Sequence, residues 1–260
     1  MTNSKIISIC VVGGAGRMGR RVIELCNELE SVNVASVLVR PDDEAEGIGL
    51  VRVETEPRLA FEGIDVIIDF SAPPSIDSTL KAAVDLGVAY VLASTGLSEK
   101  DEETLSEAAK SIPLIVASNC SLGVNVLTAL VETAARALSD FDVEVFEIHH
   151  NQKRDAPSGT ALSLAEAVTN ARPLEITTDR SGNDALRAHD SLGVSAARGG
   201  DVAGEHTVFY FGEGERLELT HRATSPVIFA QGAVKAAAWL AAKDAGVYSM
   251  RDVLGLGDVG

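Results

Sequence analysis

KIISICVVGGAGRMGRRVIELCNELESVNVASVLVR, residues 5–40, decides how the chain folds. Residues 5–12 read as a strand buried on both faces, because almost every position is apolar. A glycine turn follows from Gly13 to Gly19, and residues 17–29 then carry Met18, Val22, Leu25 and Leu29 at helical spacing. A second apolar strand at 32–39 completes a strand–turn–helix–strand unit. In that setting Gly13, Gly14, Ala15, Gly16, Arg17 and Met18 let a pyrophosphate approach the backbone and sit on the helix N-terminus. The glycine spacing alone is weak evidence, and its alternative is a tight turn; the flanking elements favour a dinucleotide. The Met18 side chain is expected in the core, not on the cofactor.

Outward from this unit the alternation continues. An acidic loop leads to a strand at 64–70, closed by Ser71, Pro73 and Pro74. Helices at 75–86 and 99–110 alternate with strands at 88–93 and 112–118, the rhythm of an α/β doubly wound parallel sheet. After residue 120 the rhythm changes. A helix at 123–138 precedes a strand at 141–150 that ends on two histidines, and another helix spans 158–170. The polar stretch 173–198 reads as a long irregular loop that helps cover a site. Strands at 206–211 and 216–221 form a hairpin around GEGE, an Ala-rich helix occupies 227–242, and a short polar tail ends the chain.

The formal charge is −16 over 260 residues, which argues against nucleic acid or an anionic membrane as partner. An anionic substrate therefore needs a local basic patch. Aromatic residues make up only 4%, so the core is built from Ala, Val, Leu and Ile. No apolar run reaches the ~18–20 residues of a membrane span, and the first ten residues lack the pattern of a signal peptide. Cys10, Cys26 and Cys120 share no spacing and read as buried free thiols. A cytoplasmic protein is expected.

The basic patch lies in EIHHNQKRDAPSGT, residues 147–160, where four of the first eight residues are His, Lys or Arg. Histidine is the side chain able to act as acid or base near neutral pH, so His149 and His150 are candidates, Lys153 adds charge and a transferable proton, and Ser158, Gly159 and Thr160 open a helix able to hold a carboxylate. Two adjacent histidines without a third ligand at a usual spacing do not make a zinc site, so no metal is expected. At the end of the second strand Val39 cannot bond a ribose hydroxyl, while Arg40 either grips a 2′-phosphate or is an ordinary solvated side chain. This favours NADPH weakly over NADH.

With GGAGRMG (13–19) and EIHHNQKRDAPSGTAL (147–162) both present, the chain resembles the 4-hydroxy-tetrahydrodipicolinate reductase family, also called dihydrodipicolinate reductase. The resemblance extends to Asp69-Phe70-Ser71 with Pro73, Asn119, Gly123-Val124-Asn125-Val126, Arg198-Gly199-Gly200-Asp201, Gly204-Glu205-His206-Thr207 and Phe229–Val234. It implies a Rossmann-like dinucleotide-binding domain of residues 1–120 plus 231–260. It also implies a second α+β domain, 121–230, for substrate binding and homotetramer formation. It makes His149 the catalytic proton donor or acceptor and Lys153 the second proton donor, with His150, Ser158, Gly159 and Thr160 around the carboxylates of a small dicarboxylate imine. Ala93, Ser94, Thr95, Ala117, Ser118, Asn119 and Cys120 would line the nicotinamide side. Three places depart from the family's usual residues: Val39 for an acid, Ala93-Ser94-Thr95 for Gly-Thr-Thr, and Cys120 for Phe. Other Rossmann reductases, or a non-catalytic NADP(H) sensor, would explain the glycine turn but not His149 with Lys153.

Overall fold

The protein is described here by a computed structural model that covers residues 5–49, 51–72 and 75–257; the expected stop at Pro73 and Pro74 lies outside the described residues. The chain divides into two compact units, residues 1–122 with 227–255 and residues 123–226 with 256–260.

In the first unit, β1 (Ile7–Val12), α1 (Arg17–Asn27) and β2 (Val32–Leu38) form the opening right where the apolar runs and glycine turn place them. The acidic loop that follows is not structureless: it carries β3 (Arg52–Glu54) and α2 (Pro57–Phe61), with Pro57 at the helix start, where its missing N–H costs nothing. Then come β4 (Val66–Asp69), α3 (Ile76–Leu86), β5 (Ala89–Leu92), α4 (Glu99–Ala108) and β6 (Pro113–Val116). Ser98 and Asp101 close α4 with a reciprocal capping box.

The second unit begins within α5 (Leu122–Ala137) and contains β7 (Asp142–His149), α6 (Gly159–Ala171), β8 (Glu175–Thr177), β9 (Ser191–Arg198), β10 (Gly204–Gly212) and β11 (Glu215–Ala223). Its five strands stand in the order β11-β10-β7-β9-β8. The stretch expected as an irregular loop, 173–198, is irregular over 178–190 but carries strands at its two ends: β9 pairs in parallel with both β7 and β8. Small residues in β9 (SLGVSAAR) and burial of only its first half hide the strand from a hydropathy reading. Val143 and Val145 of β7, Leu192 and Val194 of β9, and Val208 and Tyr210 of β10 pack under α5 and α6.

The chain then returns to the first unit with α7 (Val227–Leu240), β12 (Gly246–Tyr248) and α8 (Met250–Leu254), so the expected polar tail carries a short strand and a short helix. All pairings in this sheet are parallel, in the order β12-β6-β5-β4-β1-β2-β3. Successive residues of β1 feed opposite cores: Ile9 and Val11 join the layer under α1 and α7, Cys10 and Val12 the layer under α2, α3 and α4. Burial on both faces is why the strands lack polar alternation. All three cysteines are free and buried. No helix among the described residues is long and apolar enough to cross a membrane.

Candidate active site

The strand order reverses between β1 and β4, since β2 and β3 lie on one side and β5 and β6 on the other. In open parallel sheets, ligands bind beyond the strand C-termini at such a reversal. The glycine turn lies there. A Cβ on Gly14 would stand 2.2 Å from Val37 Cγ1, and one on Gly19 would stand 2.4 Å from the Gly13 carbonyl oxygen. Close packing of turn, strand and helix thus demands glycine, and the resulting bare backbone at the start of α1 fits a pyrophosphate. Arg20 braces the turn, donating to the Ala15 carbonyl and to those of Glu44 and Glu46.

Ala93, Ser94 and Thr95 follow β5, and Ala117 to Cys120 follow β6, so both groups extend from the same sheet edge. Ser94 Oγ donates to the Ser71 carbonyl. Cys120 turns its side chain into the core, and Gly232 on α7 packs so tightly on it that a Cβ would meet the Cys120 carbonyl oxygen at 1.7 Å. Met18 likewise packs against the core. Arg40 is exposed and pairs with Asp43 at 2.7 Å, while Val39 is buried.

In the second unit the apolar face of the sheet turns polar at one end. Along β7, Val143, Val145, Glu147 and His149 are all buried on one face, as the period of two requires. Register then supplies their neighbours: His149 stands opposite Arg198 of β9, and Glu147 opposite His206 of β10. Glu147 is fully buried. Its Oε1 accepts from Arg198 Nη2 at 2.8 Å and from the Ser158 backbone N–H at 3.0 Å. Its Oε2 lies 3.3 Å from His149 Nδ1 and 3.5 Å from His206 Nε2. The two imidazoles meet edge to face, 5.1 Å apart. Ser158 Oγ lies 3.2 Å from His206 Nε2 and caps α6 by accepting from the Ala161 N–H.

The histidine doublet therefore splits. His149 enters the buried network, whereas His150 lies beyond the strand end, where its Nδ1 accepts from the Gln152 N–H. Lys153 donates to Asp155 Oδ1 at 2.9 Å, and that bond holds the Asp155 carboxyl below its usual range. Gly159 begins α6 with open space where a side chain would project, so an incoming carboxylate can reach the first turn.

Burial holds His149 below the ordinary imidazole value although Glu147 pulls the other way. His206 is pushed down to about 4, chiefly by burial and then by His149. For Glu147 burial acts to raise the carboxyl, but hydrogen bonds from Ser158 and Arg198 prevail and keep it below its usual range. Among the described residues, Glu147, His149 and His206 bring three donor atoms within 4.8 Å of one another, a cluster not visible in the adjacent histidines. The Arg198 guanidinium on the same carboxylate opposes a second cation there. Glu147, Arg198 and His206 each lie within stretches that carry the family resemblance, but nothing in their spacing along the chain marks them for a role. Only strand register unites them.

The chain matches the family model of the dihydrodipicolinate reductase N-terminus over residues 7–120 and that of the C-terminus over residues 123–254. It is 43% identical to a 4-hydroxy-tetrahydrodipicolinate reductase of Acinetobacter baumannii (strain AYE), covering 96% of this chain and 97% of that one. To the enzyme of that name from Wolinella succinogenes it is 41% identical over 95% and 99% of the two chains. In fold it is similar to a dipicolinate-bound dihydrodipicolinate reductase from Paenisporosarcina sp. TG-14, with TM-score 0.81 and 22% identity, covering 94% of this chain and 98% of that one.

Proposed function

The chain belongs to the dihydrodipicolinate reductase family, and from that premise we propose that it reduces 4-hydroxy-tetrahydrodipicolinate to tetrahydrodipicolinate, with loss of water, in diaminopimelate and lysine biosynthesis. The observation that carries this reading is the cluster on β7 and the following turn, where Glu147 joins His149 to the capped start of α6 and Lys153 lies on the turn between them. A nicotinamide dinucleotide, when bound, supplies the hydride. The side chains must do the rest.

Loss of the ring hydroxyl as water protonates the leaving oxygen and releases one proton from the neighbouring ring carbon, and hydride addition to the conjugated imine then requires one proton on the product. His149 and Lys153 are the groups positioned to move them. Lys153, His150 and the start of α6 at Ser158, Gly159 and Thr160 bind the two substrate carboxylates, against the repulsion of a chain with net charge −16. In the first unit, Gly13 to Met18 hold the pyrophosphate, and Ala93 to Thr95 and Ala117 to Cys120 border the nicotinamide. The Cys120 contribution is through backbone, because its thiol is buried. Residues 1–120 with 231–260 serve as the dinucleotide-binding domain, and 121–230 as the substrate and tetramerisation domain. Three unpaired thiols suit a cytoplasmic enzyme.

NADPH is the favoured cofactor. Val39 offers no acceptor for a ribose hydroxyl, and Arg40 can exchange its exposed pairing with Asp43, an interaction of small worth, for a 2′-phosphate. The test is consumption of each reduced cofactor with enzymatically generated substrate, in wild type and Arg40→Ala. Wild type is expected to turn over both, NADPH faster. The variant should raise KM for NADPH about tenfold, as loss of one charged phosphate contact would, and leave NADH unchanged. Equal effects on both cofactors would remove the role of Arg40, and no turnover with either would defeat the reductase reading.

A further inference from the structure

We propose that Glu147 is the positioning residue of the site: its buried carboxylate holds His149 with the proton on Nδ1, leaving Nε2 as the nitrogen that exchanges protons with substrate. The proposal rests on the reading of His149 as a proton-transfer group. Glu147 Oε2 and His149 Nδ1 are both enclosed, 3.3 Å apart, and neither has a hydrogen-bond partner among the described residues. An unprotonated Nδ1 would set its lone pair against a carboxylate oxygen. A proton on Nδ1 turns that repulsion into attraction, and the second ring nitrogen is then the basic one. Nε2 borders Gly204, where a Cβ would come within 3.0 Å of it, so the absent side chain leaves this edge of the ring unobstructed.

The same carboxylate reaches the other half of the site. Its Oε1 accepts from the backbone N–H of Ser158, the N-cap of α6, and from Arg198, which also donates to the Asp155 carbonyl at 2.5 Å. One buried group thus fixes the ring, the helix start and the turn carrying Lys153. The charges facing His149 are Glu147 on its own strand, Lys153 and Asp155 on the turn, Arg198 on β9 and His206 on β10, with His221 of β11 beyond His206. Among them Glu147 is the foremost one that favours the imidazolium. Removing its charge should displace the His149 titration to lower pH.

The experiment is nitrogen NMR of the full chain labelled at histidine, His149 being identified by loss of its signals in His149→Ala, together with the pH profile of kcat/KM for wild type and Glu147→Gln. The expected wild-type result is the Nδ1–H tautomer. In Glu147→Gln the expected results are loss of that preference, a His149-linked limb at lower pH, and kcat down by about 10²-fold with KM changed far less. Glu147→Asp, keeping the charge, should restore the limb toward wild type. An Nε2–H tautomer in wild type overturns the proposal, even if the Gln variant does not fold. So does a folded Gln variant with an unmoved limb. A wild type with the Nδ1–H tautomer but no turnover upholds the positioning role and defeats the reductase reading instead.

Discussion

A buried imidazole that has no room to become charged makes folding depend on pH in a direction that can be derived. His206 is pushed down to about 4 by burial, then by His149, against an unfolded value near 6.5. Above that value both states are neutral and the residue contributes no slope. As pH falls from 6.5 toward 4 the unfolded chain takes up a proton that the folded chain refuses, so stability is lost. His149 and His221 are displaced in the same direction. The thermal midpoint is therefore expected to be flat from pH 8 to 7 and to fall between pH 6.5 and 4.5, with His206 alone worth at most about 3 kcal/mol. His206→Gln should lessen that slope, and a wild-type midpoint constant down to pH 4.5 would contradict the assignment. His149 and Lys153 were legible in sequence because their neighbours in the chain are also their neighbours in space. Glu147, Arg198 and His206 were not, because the register of β7 with β9 and β10 brings them together.

Elements were legible where side-chain period and punctuation agreed. The β1–α1–β2 unit has an apolar strand, a glycine turn and helical spacing, and all three fell where the sequence put them. Short or small-residue elements escaped: β3, α2 and β12 offer too few residues for a period, and β9 lacks a bulky apolar run. The glycine turn also yields a prediction for its element. A Cβ at Gly19 meets the Gly13 oxygen at 2.4 Å and Gly14 Cα at 2.5 Å, backbone atoms that no rotamer change can remove. Gly19→Ala should separate α1 from the turn, lowering stability by about 1–3 kcal/mol and weakening NADPH binding at least about tenfold. Thermal unfolding and a fluorescence titration measure both, and wild-type NADPH affinity in the variant would refute the packing argument.

At the level of the whole molecule the sheet of the second unit packs one face under α5 and α6 and turns its alternate side chains to the opposite face. Phe146 and Phe211 lie on that second face, each 37% exposed, with Phe209 stacked on Phe211 at 5.6 Å and Arg216 above the ring. Aromatic residues are otherwise scarce in this chain, and an apolar patch of this kind suits association between copies. Light scattering is expected to give a tetramer for wild type and a smaller species for Phe146→Asp combined with Phe211→Asp; a wild-type monomer would remove the assembly from the account. The central claim, that the His149–Lys153 cluster carries proton transfer for imine reduction, is tested most directly by one measurement. It is the rate of reduced-nicotinamide oxidation with enzymatically generated 4-hydroxy-tetrahydrodipicolinate, compared between wild type and the His149→Ala, Lys153→Ala double variant. The account predicts rapid oxidation by wild type and a loss of at least about 10²-fold in the double variant, with cofactor affinity retained. A folded double variant that still turns over at the wild-type rate would contradict it.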